Sequence, residues 1–127
     1  MKVDRTQGRV LIVDDNQAIA TTLAMVLRSA GFHAVATYRT HDALTLLTDG
    51  SFDLLLSDAI MPQMSGVELA IQAIEGGFVP HILLMSGMST TSDLLAAASK
   101  RGYYFEILPK PMHPSDVINK IHEILGS

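Results

Sequence analysis

Asp14, Asp15, Asp58, Ser86 and Lys110 each stand just beyond an apolar run, although the chain between them is long. Carboxylates drawn together repel one another, so a triplet of them implies a divalent cation or a raised pKa. A lysine and a hydroxyl beside them suit the oxygens of a phosphoryl group. A carboxylate is already ionised at neutral pH and needs no base to attack phosphorus, provided its repulsion with the incoming phosphate is removed. These residue types together therefore point to phosphoryl handling.

The elements that must position them are legible as alternating segments. Val10 to Val13, Leu54 to Leu56 and Ile82 to Met85 are unbroken apolar runs of the kind expected for strands covered on both faces. His33 to Tyr38 and Phe105 to Leu108 are weaker strand candidates. Between them, Ile19, Leu23, Val26, Leu27 and Ala30 keep helical spacing, with Asn16 as N-cap and Gly31 just past the end. Ala43, Leu44 and Leu47 mark a second helix. Ser65 and Glu68 form a capping-box pattern opening a third through Val67, Ala70, Ile71 and Ile74. Leu94 to Lys100 and Pro114 to Leu125 complete the set.

Five strands alternating with five helices predict right-handed crossovers and a parallel sheet with helices on both faces. Ligands of such sheets bind beyond the carboxyl ends of the strands, where the strand order reverses. Asp14, Asp58, Ser86 and Lys110 fall at four such ends. Their separations, 58 − 14 = 44, 86 − 58 = 28 and 110 − 86 = 24 residues, each leave room for at least one helix and strand. All five side chains can meet on one edge.

Composition bounds the remaining possibilities. At 127 residues, 48% apolar and 17% charged, the chain is expected to form a single domain over 1–127, with 1–7 as a flexible lead. A net charge of −4 and a pI near 5.6 give no basic footprint for nucleic acid. No cysteine is present, so thiol chemistry and disulfides are excluded. No apolar run approaches a membrane span, and a cytoplasmic protein is expected. His33, His41, His81, His113 and His122 show no paired ligand spacing, and the seven methionines suit core or loop positions. Nothing in the residues specifies an oligomeric state.

Taken singly, the site residues have plainer structural readings. Asp14-Asp15 could cap a helix, Asp58 a loop, Ser86-Gly87 could form a turn, and Lys110 could be a solvated charge. Their order and spacing change the balance. LIVDDN (Leu11 to Asn16), LLLSDAIMPQMSG (Leu54 to Gly66), LLMSG (Leu83 to Gly87) and LPKPM (Leu108 to Met112) together resemble the receiver domains of two-component response regulators, of the chemotaxis-regulator kind, over nearly the full length.

The resemblance implies an α/β, flavodoxin-like fold: a doubly wound five-stranded parallel sheet of order 2-1-3-4-5 with five helices. It implies that Asp58 accepts a phosphoryl group from a phosphohistidine on a sensor histidine kinase or a histidine phosphotransfer protein. Mg2+, or Mn2+, would be held by Asp15, Asp58 and the backbone carbonyl of Ile60, with Asp14 acting through water. Ser86 and Lys110 would sense the phosphoryl group, and a downstream protein or output domain would read the face formed by helix 4, strand 5 and helix 5. Leu94, Leu95 and Tyr103 are expected to be partly exposed there. Met61, Pro62 and Gly66 would shape the loop, and Lys110-Pro111 resembles a turn often cis in this family.

Three departures from the family pattern stand out. Ile107 occupies the position, three before the lysine, that often carries a switch aromatic, so Phe105, on the same strand face, is the candidate replacement. GYYFEILPKP has one residue more than many receivers, which predicts an irregular start to the fifth strand. Apolar Ile60 and Met88 predict slow self-dephosphorylation, because they hinder a water from lining up for attack. The expected protein is a switch, not a turnover enzyme. Two rivals are a pseudo-receiver interaction module, which would normally have lost part of the acidic set, and a haloacid-dehalogenase-like phosphatase. The latter typically places its second Asp two residues after the first, whereas Asp14 and Asp15 are adjacent.

Overall fold

The computed structural model describes residues 8–49, 51–62, 64–87, 91–110 and 112–126. The expectations placed on residues 1–7, Met88 and Pro111 lie outside the described residues. The apolar runs become strands β1 (Arg9–Val13), β2 (His33–Thr37), β3 (Leu54–Asp58), β4 (His81–Ser86) and β5 (Glu106–Pro109). The helices are α1 (Gln17–Ser29), α2 (Thr40–Leu47), α3 (Gly66–Glu75), α4 (Thr91–Lys100) and α5 (Pro114–Leu125). All four strand pairings are parallel, and the sheet order is β2-β1-β3-β4-β5. The chain leaves β1 in one direction to β2 and returns on its other side to β3. This reversal opens a crevice above the carboxyl ends of β1 and β3.

Alternation along each strand divides the core into two layers. Val10, Ile12, Leu54, Leu56, Leu83 and Met85 pack against Leu23 and Leu27 of α1 and Val117 and Ile121 of α5. Leu11, Val13, Leu55 and Leu84 face the other way, onto Ala43 and Leu47 of α2, Leu69 and Ile71 of α3 and Ala98 of α4. Residues of both parities are fully buried, which is why the strands read as continuous apolar runs. Each large aliphatic side chain so placed contributes about 1.5–3 kcal/mol.

The local signals act as their chemistry predicts. Asn16 Oδ1 accepts the Ile19 N–H at 3.2 Å, and Ser65 Oγ accepts the Glu68 N–H at 3.0 Å, capping α1 and α3. Gly31, at φ +99°, turns the chain out of α1 toward β2. Two boundaries differ from expectation. Helix α4 begins at Thr91, three residues before Leu94. Phe105 lies outside β5, because pairing starts at Glu106 opposite Leu83 and the chain from Tyr103 to Phe105 is irregular after the turn at Gly102 (φ +93°). Phe105 and Ile107 nevertheless pack against the same core layer.

Candidate functional site

Each chemically equipped side chain is delivered by backbone pairing that runs just past the end of a strand. The Asp14 N–H donates to the Thr37 carbonyl at 3.2 Å, the Ala59 N–H to the Met85 carbonyl at 2.9 Å, and the Lys110 N–H to the Ser86 carbonyl at 2.8 Å. The site is therefore fastened across the whole sheet edge.

Asp14, Asp15 and Asp58 each offer a carboxylate oxygen, and these atoms lie within 4.8 Å of one another. Asp14 is buried, Asp58 half-buried and Asp15 exposed. Lys110 crosses to them from β5: its Nζ is 3.0 Å from Asp14 Oδ2 and 3.3 Å from Asp58 Oδ2. Asp14 Oδ1 also accepts the Asn16 N–H at 2.9 Å, so the same carboxylate joins the site to the start of α1. Ile60 N–H approaches Asp58 Oδ1 at 3.4 Å. Ser86 ends β4, in register with Pro109 and one residue beyond the Asp58–Met85 pair.

The charges oppose one another as the sequence implied. Burial pushes the Asp58 carboxyl above the usual carboxylate range; Lys110 pulls it back, and the charge of Asp14 raises it further. Burial pulls the Lys110 ammonium down, but its hydrogen bond to Asp14 and the charge of Asp58 outweigh this, and the net shift is upward. Lys110 thus stays charged and neutralises part of an acidic cluster that holds more negative than positive charge. Hard carboxylate oxygens in excess, open to solvent at Asp15, form a donor set that suits a small divalent cation.

The loop after β3 approaches the site closely. A Cβ on Gly66 would lie 1.8 Å from the Asp58 carbonyl oxygen, so only glycine allows α3 to start there, and its N–H donates to the Ala59 carbonyl at 2.9 Å. Met61 is buried and Pro62 exposed, and the Met64 N–H donates to the Pro62 carbonyl at 2.9 Å. A groove of about 640 Å³ opens beside Lys110, lined by Asn16, Ile19, Leu23, Met112 and Pro114 among others.

Thus Asp14, Asp15, Asp58 and Lys110 meet, Ile60 borders them and Ser86 sits on the adjoining strand end. Ile107 and Phe105 belong to the layer under α3 and α4. Three features lie outside the expectations drawn from the sequence. The Thr37 carbonyl holds Asp14. Ser57, fully buried, donates from Oγ to the Asp58 carbonyl at 2.9 Å. A cluster ties α3 to the segment before β5: Arg101 pairs with Glu68 at 3.1 Å and Glu75 at 3.7 Å, and Tyr103 Oη donates to Glu75 at 2.7 Å. Only Ser57 had a usable signal, as the one polar residue before the aspartate at the end of an apolar strand.

A family model described as the response regulator receiver domain matches residues 10–122. The chain is 31% identical over 117 residues to the response regulator receiver protein CpdR of Brucella abortus (strain 2308), covering 92% of this chain and 96% of that protein. It is 30% identical over 120 residues to the cell cycle response regulator CtrA of the same organism, covering 92% of this chain but 50% of that protein, so it spans about half that relative's length. Among solved structures it is similar to a CheY-like response regulator receiver domain protein from Methanospirillum hungatei JF-1, with a TM-score of 0.78, 26% identity and 94% of each chain covered.

Proposed function

The chain belongs to the response regulator receiver domain family, and from that premise we propose that it is a single receiver domain acting in the cytoplasm as a phosphorylation-dependent switch, with Asp58 as phosphoacceptor. The observation that carries this reading is Lys110 bridging Asp14 and Asp58 inside a three-carboxylate cluster at the reversal of strand order. A lone pair on an Asp58 carboxylate oxygen attacks phosphorus. The bond from phosphorus to the donor's imidazole nitrogen breaks, its electrons return to the ring, and the neutral imidazole leaves after taking up a proton from solvent. Asp15, Asp58 and the Ile60 carbonyl would hold Mg2+ or Mn2+, with Asp14 acting through water, and the bound cation would supply positive charge that lets anionic phosphate approach a carboxylate. Lys110 meets one phosphoryl oxygen and Ser86 donates to another, so the covalent event moves a lysine and a hydroxyl.

The donor is a sensor histidine kinase or a histidine phosphotransfer protein, and a downstream protein or output domain reads the α4, β5 and α5 face. Tyr104, 81% exposed, lines a surface groove with half-buried Leu95 and Tyr103, and Leu94 is half-buried on the same helix as Leu95, which supports an interaction role for this face. Half-buried Ile60 beside the acceptor supports slow loss of the phosphoryl group. Incubation with acetyl phosphate and Mg2+ followed by intact mass measurement tests the reading. One stable phosphoryl group is expected on the wild type and none on Asp58→Asn. No gain by the wild type would indicate a pseudo-receiver, and rapid turnover of phosphate esters a phosphatase.

A further inference from the structure

We infer that Ser57 is a positioning residue for Asp58, setting how fast the carboxylate accepts a phosphoryl group; this rests on Asp58 being the acceptor. Strand β3 pairs with β1 only as far as Val13 opposite Ser57, and with β4 as far as Asp58 opposite Met85. The acceptor thus stands on the last residue of its strand, with one further backbone bond beyond it, from the Ala59 N–H to the Met85 carbonyl. Ser57 is wholly buried, and its Oγ donates to the Asp58 carbonyl at 2.9 Å.

The space around that carbonyl is closed on its other side by α3. A Cβ built on Gly66 would meet the Asp58 carbonyl oxygen at 1.8 Å and Ser57 Oγ at 2.8 Å, while the Gly66 N–H takes the next carbonyl, that of Ala59, at 2.9 Å. Ser57 and Gly66 therefore clamp two successive peptide units, those following Asp58 and Ala59. These peptides orient the Asp58 side chain and lead directly into Ile60, whose N–H faces Asp58 Oδ1. Without the hydroxyl, the Asp58 carbonyl is left facing α3 without its side-chain donor. That peptide is then held only through its Ala59 N–H on the Met85 carbonyl, and the carboxylate loses part of its fixed aim.

Ser57 does not touch the phosphodonor, so its effect falls on the limiting rate and not on the donor concentration giving half that rate. The test measures both for acetyl phosphate with Mg2+ in the wild type, Ser57→Ala and Ser57→Thr, together with stability in urea. Ser57→Ala is expected to lower the limiting rate about three- to tenfold, the size of one buried hydrogen bond, with the half-rate concentration unchanged. Ser57→Thr keeps the hydroxyl and restores most of the rate even if its added methyl lowers stability. In the metal-free Ala variant, amide exchange at Ala59 and Ile60 is expected to quicken.

An Ala variant that is phosphorylated as fast as the wild type overturns the inference. So do Ala and Thr variants slowed equally, which is the pattern of a packing defect. A wild type that takes no phosphoryl group at Asp58 instead removes the reading beneath it.

Discussion

Asp58 is held in a place that disfavours its own ionised form, since burial is the largest influence on it and acts upward on its pKa. With a folded-state pKa above the unfolded one, ionisation weakens the metal-free fold. Stability therefore rises as pH falls through the folded pKa, and levels off below the unfolded value. Asp58→Asn should raise the unfolding midpoint of the metal-free protein at neutral pH, with the gain shrinking as the solution is acidified into the carboxylate range. A lower midpoint for the Asn variant would show that the pair with Lys110 outweighs burial. Gly66 yields a second prediction at this scale. A methyl there meets backbone at 1.8 Å, so Gly66→Ala should cost roughly 3 kcal/mol or more in urea unfolding and slow phosphorylation as well. The acids and Lys110 were legible because polar residues end apolar runs sharply. Ser57, whose one signal is being polar in an apolar strand, is easily passed over because a small residue there looks like filler, and the carbonyl of Thr37 that holds Asp14 leaves no mark in a sequence at all.

Between elements, the contacts of α3 join the site to the opposite end of the molecule. Its first residue abuts the Asp58 carbonyl, while Glu68 and Glu75, seven residues and two turns apart, share one face and meet Arg101 and Tyr103. The Tyr103 ring stacks on Phe105 with centroids 6.5 Å apart. Accepting the phenol's proton in a hydrogen bond, Glu75 raises the Tyr103 pKa above the usual tyrosine value. Glu75→Ala should let Tyr103 ionise at a lower pH, followed by NMR of labelled tyrosine, with the far-UV spectrum unchanged; an unmoved titration would contradict the contact. The helix and strand types were readable from periodicity and caps, and Ser65 and Asn16 placed two helix starts correctly. The start of β5 was not readable by alternation alone. The left-handed turn at Gly102 displaces Phe105 from the strand while leaving it on the Ile107 side of the sheet, a rearrangement that residue spacing does not encode.

At the scale of the molecule, two apolar layers hold one rigid sheet, and the site and the α4, β5 and α5 face are connected through that sheet and α3. The topology was legible because both-face burial, crossover length and handedness leave few arrangements for five alternating strands and helices. The orientation of α1 and α5 on one face and α2, α3 and α4 on the other follows from the same constraint. Under the proposed function, phosphorylation of Asp58 is converted into a change at a distant face. Amide hydrogen exchange across the whole chain, before and after phosphorylation by acetyl phosphate, tests it most directly. Altered protection is predicted in β5 and α4, well away from the acceptor, and its absence in Asp58→Asn. Full phosphorylation with exchange altered only next to Asp58 would contradict the claim.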